Sequence, residues 1–181
     1  LWRTCRILAN KRRLACLRAV LSLPGATVEE IAERARLPAD QASLCLRALQ
    51  ARGLLHAERK SRWVRYAPVP DSSVPVAAPV LHAMFRALLR EGLSDRAVFE
   101  TLTAFTHPRR LVILSRLRAD AGQSVEHLAR QTNISQQALW RHLSKLSRRN
   151  LVVPPPDGWR LAGTPPPLAQ TLLALIPRGQ P

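Results

Sequence analysis

Hydrophobic positions recur at intervals of three and four along most of the chain, in short blocks divided by turn residues. Residues 11–21 (KRRLACLRAVL) bring Leu14 and Leu17 to one side and are stopped by Pro24-Gly25, which predicts a helix. Thr27 stands before VEEIAERA with Glu30 three positions on, the spacing of a capping box. That second helix ends before Leu37-Pro38, and a third, ADQASLCLRALQARG, runs to Gly53, where a helix stop is expected. The period then changes from 3.6 to two. LLHAERKSRWVRYAPV reads as a strand, a tip at Arg59-Lys60-Ser61-Arg62 and a return strand over 63–69, a β-hairpin.

The same order returns later. Shifting the chain by 97 residues aligns 8–54 with 105–151 without a gap, and about 12 of 47 positions are identical. The matches fall on core spacing: Leu14/Leu111, Leu17/Leu114, Ile31/Leu128, Leu46/Leu143, Leu49/Leu146 and Leu54/Leu151. In the second copy Ser124 caps EHLARQ, Asn133 and Ser135 mark the turn, and QQALWRHLSKLSRR ends at Asn150. LVVPPPDGWRLAG keeps a hairpin with Asp157-Gly158 as its turn, weakened by three prolines. Two short helices joined by a tight turn are the helix-turn-helix signature. The expected fold is mainly α with small β-hairpin wings: a tandem winged helix-turn-helix, a three-helix core plus wing repeated, linked by dimerisation-type helices.

The expected domains are a first winged helix over 1–70, a Pro-rich linker and connecting helix over 71–92, and a second winged helix with a C-terminal helix over 93–181. The linker APVPDSSVPVAAP is expected to be extended. In the helix that follows, Leu81, Met84, Phe85, Leu88 and Leu89 form an apolar face. That face either covers its own unit's core or offers a homodimer surface through Leu81, Met84, Phe85 and Leu88. SDRAVFETLTAF and LAQTLLALI could serve likewise, and the two halves are expected to form a dimer-like pair in one chain.

Charge narrows the partner class. The formal net charge is +16, and 1–75 and 76–181 each hold 14 basic and 6 acidic residues, a surplus of eight apiece. Basic character shared by both folded halves points to an anionic polymer or surface. No run of 18 apolar residues is present and the N-terminus lacks a signal-like apolar stretch, so a cytoplasmic protein is expected, nucleoid-associated if bacterial. Cys5, Cys16 and Cys45, odd in number and irregularly spaced, read as reduced, buried thiols. No phosphate loop, nucleophile elbow, HExxH or carboxylate pair stands out, so no enzyme and no cofactor are expected.

With HPRRLVIL, SVEHLARQTNISQQALWRHLSKL and RRNLV in view, the chain resembles the ArsR-type winged-helix repressors. The likeness covers nearly the whole chain twice, and the first copy departs further, with Leu44-Cys45-Leu46 where the second has Arg141-His142-Leu143. It implies DNA recognition by the third helix and wing of each unit. It also implies where metal sensing would lie. The Cys-x-Cys positions hold Thr27 and Glu29, or Ser124 and Glu126, and the dimer-helix site would have only His82 and Glu91, so no metal site is expected.

On the second recognition helix, Leu139, Leu143 and Leu146 point inward. Ser135, Gln136, Gln137, Trp140, Arg141, His142, Lys145, Arg148 and Arg149 are the candidate DNA contacts: Gln suits adenine, Arg suits guanine or phosphate, and the flanking cations suit the backbone. Trp140 is the awkward member, since an exposed indole more commonly packs on a helix or partner than on a base. The first helix presents Ala39, Asp40, Ser43, Leu44 and Arg47, a poorer groove reader, beside the stronger wing cations Arg59, Lys60 and Arg62. A sequence-specific double-stranded DNA-binding regulator is the leading reading. The alternative is a non-enzymatic scaffold whose tandem winged helices contact protein, favoured by Leu44, Trp140 and the proline-filled wing. RNA binding ranks last, because exposed aromatics on a sheet platform are lacking.

Overall fold

The computed structural model describes residues 1–154 and 158–178. The chain divides into two compact units, Thr4–Phe99 and Glu100–Pro181, the second joined by Leu1–Arg3. The stretch 71–92, read above as linker and connecting helix, lies within the first unit.

In the first unit, α2 (Lys11–Ser22) is capped by Asn10, whose side chain accepts from the Arg13 amide. It follows a short helix, α1 (Trp2–Leu8), that the hydrophobic pattern did not announce. Then come β1 (Ala26–Thr27), α3 (Val28–Ala35) and α4 (Ala39–Gln50). The Thr27 capping box forms in both directions, with its hydroxyl accepting from the Glu30 amide and the Glu30 carboxylate accepting from the Thr27 amide. Leu14, Leu17, Val20, Ile31, Leu46, Leu49 and Leu54 are sealed in one core, each leucine contributing about 2 kcal/mol by its burial.

The wing is β2 (His56–Lys60) paired antiparallel with β3 (Trp63–Ala67), and β1 adds a third strand to β3 through Ala26↔Tyr66. The tip is narrower than expected: Arg59 and Lys60 are still paired, with Val64 and Trp63, so Ser61-Arg62 is a two-residue turn with Ser61 left-handed at φ 58°. The return strand stops at Ala67, not Val69.

The Pro-rich stretch is not extended. The Asp71 carboxylate accepts from the Ser73 amide, the Asp71 amide donates to Gly53, and turns follow into α5 (Ala77–Phe85), which begins earlier than the pattern suggests. A π-helical turn, Arg86–Arg90, continues it. Leu81, Met84 and Leu88 are buried. Of the four proposed homodimer residues Phe85 retains part of its surface, and the other three are packed into the core of their own unit. Arg18 secures the segment by donating to the Leu88 and Leu93 carbonyls and the Asp95 carboxylate.

A further helix, α6 (Asp95–Ala104), crosses the boundary between the units. In the second unit, α7 (Pro108–Ala119) starts from His107, whose ring accepts from the Arg109 amide, with Pro108 in its first turn. α8 (Val125–Thr132) and α9 (Gln136–Ser147) follow, then β4 (Val152–Val153), β5 (Arg160–Leu161) and α10 (Pro167–Ala174). This wing is shorter than the first, with two strand pairs, Val152↔Leu161 and Val153↔Arg160. Asp157 of the expected turn lies outside the described residues. Leu168, Ala169, Leu172 and Leu173 of α10 are likewise buried.

Backbone marks recur 97 residues apart. Gly25 and Gly122, Arg36 and Asn133, and Gly53 and Asn150 all have positive φ. The Ala26↔Tyr66 pair has its counterpart in an isolated bridge, Gln123↔Trp159.

Candidate nucleic-acid interface

The helix-turn-helix geometry of the second unit is set by two side-chain caps and one left-handed turn. The Ser124 hydroxyl accepts from the His127 amide and starts α8, Asn133 at φ 51° and ψ 40° ends it, and the Ser135 hydroxyl accepts from the Ala138 amide to start α9. Asn tolerates the left-handed region because its short polar side chain can compensate locally. Leu139, Leu143 and Leu146 are fully buried, which rotates the opposite side of α9 to solvent.

That exposed side brings together Ser135, Gln136, Gln137, Trp140, Arg141, Ser144, Lys145 and Arg148. Trp140, Arg141, Ser144, Lys145, Arg148 and Arg149 line an open cleft of about 690 Å³. Among the described residues no carboxylate lines it. The Lys145 ammonium is held below its ordinary range first by partial burial and then by the nearby Arg110 and Arg149 charges.

Two expected contacts sit differently. His142 is half-buried against His107, ring centroids 4.8 Å apart and tilted by 47°, and does not join the exposed face. Its pKa is pushed down to about 4, chiefly by burial and then by His107 and the Arg110, Arg109 and Arg141 charges, so the ring is neutral at neutral pH. Arg149 is also half-buried, donating to the Thr103 hydroxyl at 3.2 Å and lying 3.8 Å from Glu100.

Trp140 is 51% exposed, and one edge meets Trp159 at 5.8 Å between ring centroids, nearly perpendicular at 78°. The sequence pattern leaves Trp159 unremarked, although its place between Gly158 and Arg160 marks the wing's return. Its ring is buried, and its backbone is clamped by three hydrogen bonds, from the Gly122 and Gln123 amides to its carbonyl and from its own amide to Gln123. Arg110, also unmarked by spacing, is buried and donates to the Ala104 and Thr103 carbonyls and the Thr106 hydroxyl.

Residues 105–154 match the helix-turn-helix domain family. The match runs from before α7 through β4 and contains the whole of α8, its turn and α9. It supports a helix-turn-helix regulator. No curated protein matches the chain.

The first unit offers different chemistry from similar elements. Ala39, Asp40, Leu44 and Arg47 of α4 are exposed, Leu44 at 60%, while Ser43 is half-buried. Arg36, left-handed at φ 54°, makes the turn between α3 and α4, and Pro38 begins α4 without a side-chain cap. On the wing Arg59, Lys60 and Arg62 are exposed, and the Arg62 guanidinium lies 5.0 Å over the exposed Trp63 ring. Arg65 donates to the Gly25 carbonyl at 2.8 Å, bracing the wing against the turn before β1.

The side chains at the metal-sensing positions serve the helices instead, Thr27 and Ser124 as caps. His82 and Glu91 are both exposed, and Glu91 accepts from Arg86 at 3.2 Å. Among the described residues no three His, Cys, Asp or Glu side chains gather where they could share a metal ion. All three cysteines are buried and free. Among the described residues no helix is long and apolar enough to cross a membrane.

Proposed function

We propose that the chain is a sequence-specific regulator of transcription that binds double-stranded DNA through two winged helix-turn-helix modules. α9 and α4 are its recognition helices for the major groove, and the hairpins contact the backbone or the minor groove. The carrying observation is the outer face of α9, where Gln136 and Gln137 are exposed and Arg141, Lys145 and Arg148, without a carboxylate partner among the described residues, line a cleft beside a helix-turn-helix turn. Glutamine can bond an adenine edge bidentately, arginine a guanine edge, and lysine the phosphates. The tandem reading draws support from the positive-φ marks and the equivalent bridges 97 residues apart. Two unlike recognition surfaces on one chain favour an asymmetric site.

The test is a titration of duplex DNA at several salt concentrations, with Arg141→Ala/Lys145→Ala beside the parent chain. The expected results are affinity that falls steeply with salt and a double variant weakened by about tenfold or more. Absence of binding at low salt, or binding indifferent to salt, rejects the reading.

A second reading, a non-enzymatic protein-interaction scaffold, is favoured at α4 alone, where Leu44 is 60% exposed near Asp40. A large apolar side chain flanked by a carboxylate suits a protein surface better than phosphates. Leu44→Arg separates the two: it strengthens DNA binding if α4 lies on DNA and abolishes capture of a partner if α4 lies on protein.

A further inference from the structure

Trp140 occupies the centre of the α9 face, with Gln136 and Gln137 one turn before it, Ser144 one turn after and Arg148 two turns after. Its indole is half-exposed and meets Trp159 in an edge-to-face contact; the Trp159 ring is buried, and its amide and carbonyl are both hydrogen-bonded to the Gly122-Gln123 backbone. The exposed surface of the indole is therefore presented by a fixed support and not by a free rotor. Placed in a major groove, that surface removes water from whatever base edge it meets. The largest apolar group on the base edges there is the 5-methyl of thymine. Against a polar edge the indole, whose one polar group is an N–H donor, would leave every donor and all but one acceptor desolvated and unpaired, which is costly.

Resting on the DNA-binding reading above, we infer that Trp140 is a specificity-determining residue that selects thymine in the recognition site by apolar contact with its 5-methyl group. The neighbouring glutamines suit the adenines that pair with such thymines, so the same face favours an A·T-containing core bordered by phosphates held by Arg141, Lys145 and Arg148. A 5-methylcytosine presents the same methyl and is accepted at the same position. On α4 the equivalent position is the half-buried Ser43, and the exposed apolar side chain is its neighbour Leu44.

The experiment compares the full chain on two duplexes of equal length, one of alternating deoxyadenosine and thymidine, the other with deoxyuridine in place of thymidine, so that the methyl groups alone are removed. The thymidine duplex is expected to bind at least about fourfold more tightly, the effect of burying one methyl. Trp140→Ala and Trp140→Gln bring the ratio near one, whereas Arg141→Ala weakens both duplexes and keeps the ratio. Equal, salt-dependent affinity of the parent chain for both duplexes overturns the inference and leaves the DNA-binding reading standing. No binding to either duplex overturns that reading itself. A ratio that persists in both Trp140 variants places methyl sensitivity elsewhere and also overturns the inference. So does a loss, in those variants, of binding to single-stranded oligothymidine larger than the loss on duplex, since Trp140 would then be stacking on unpaired bases.

Discussion

His142 shows how one residue's environment decides a measurable property. Protonation of the ring requires a charge to be placed half-buried, beside His107 and near three guanidinium groups, so its pKa stands at about 4 in the folded chain against about 6.5 in the unfolded one. Above about pH 6.5 the ring is neutral in both states and contributes no pH dependence. Between 6.5 and 4 the unfolded chain takes up a proton that the folded chain refuses, so stability falls, and below 4 the loss levels off. Glu30, Glu126 and Asp71 are held below their usual values by hydrogen bonds at their helix starts or turn, and their contribution is lost only at pH below their ordinary range of about 3.8 to 4.5. The interval from pH 6.5 to 5 thus falls where His142 contributes and those carboxylates do not. Thermal melting followed by circular dichroism should show Tm falling across that interval, and His142→Gln should flatten the fall. An unchanged slope in the variant would remove His142 as its cause. Periodicity puts His142 beside Arg141 on a groove-facing helix. It cannot show that the ring leans on His107, which lies 35 positions earlier at the start of another helix.

At the scale of elements, the helices whose borders the sequence marks chemically are those the structure reproduces most closely. α3 has Thr27 and Glu30 at its start, α8 has Ser124 and Asn133 at its ends, and each marker forms the bond its chemistry permits. α1 and the π-helical turn carry no such markers, and neither is visible in the pattern. The Pro-rich stretch fails for a related reason: proline argues for extension, but Asp71 offers its carboxylate to Ser73 and makes a turn. In the second wing, geometry and not pattern fixes one residue. Gly158 has φ 117°, and a Cβ there would stand 2.6 Å from the Gly122 carbonyl oxygen, backbone that cannot move aside. Gly158→Ala should therefore cost about 2 kcal/mol, from strain and from parting the Gln123↔Trp159 bridge. Denaturant unfolding measures the loss, and near-ultraviolet circular dichroism should report the separation of Trp159 from Trp140. Gly163→Ala, where a Cβ meets nothing within 4 Å, is the matched control and should be close to neutral.

For the whole molecule the formal charge of +16 overstates the cations free to meet phosphates, because several arginines are engaged by backbone. Arg18 donates to Leu88 and Leu93, Arg110 to Thr103 and Ala104, and Arg118 to Leu173 and Ile176. Leu88, Thr103, Ala104 and Leu173 stand in the last turn of their helices, where carbonyls run short of intrahelical partners and lie at the negative end of the helix dipole, while Leu93 precedes α6 and Ile176 follows α10. A chain with 28 basic and 12 acidic residues thus holds these buried and half-buried guanidinium groups mainly with backbone carbonyls, Arg18 adding the Asp95 carboxylate. The exposed cations form a separate population, which includes Arg141, Lys145 and Arg148 on α9 and Arg59, Lys60 and Arg62 on the first wing. Sequence composition counts both populations alike, since nothing in an arginine's neighbours along the chain says which distant helix end it will cap. Salt dependence of DNA binding distinguishes them. Alanine at Arg141, Lys145 and Arg148 should lower the slope of log Kobs against log salt by about 2 to 3, and alanine at the three wing cations should do the same for the other unit. Arg118→Gln should leave the slope unchanged while lowering Tm, because it loosens α10 from α7 without removing a phosphate contact. A slope reduced as much by Arg118→Gln as by an exposed cation would show that DNA senses the summed field of the chain and not these two surfaces.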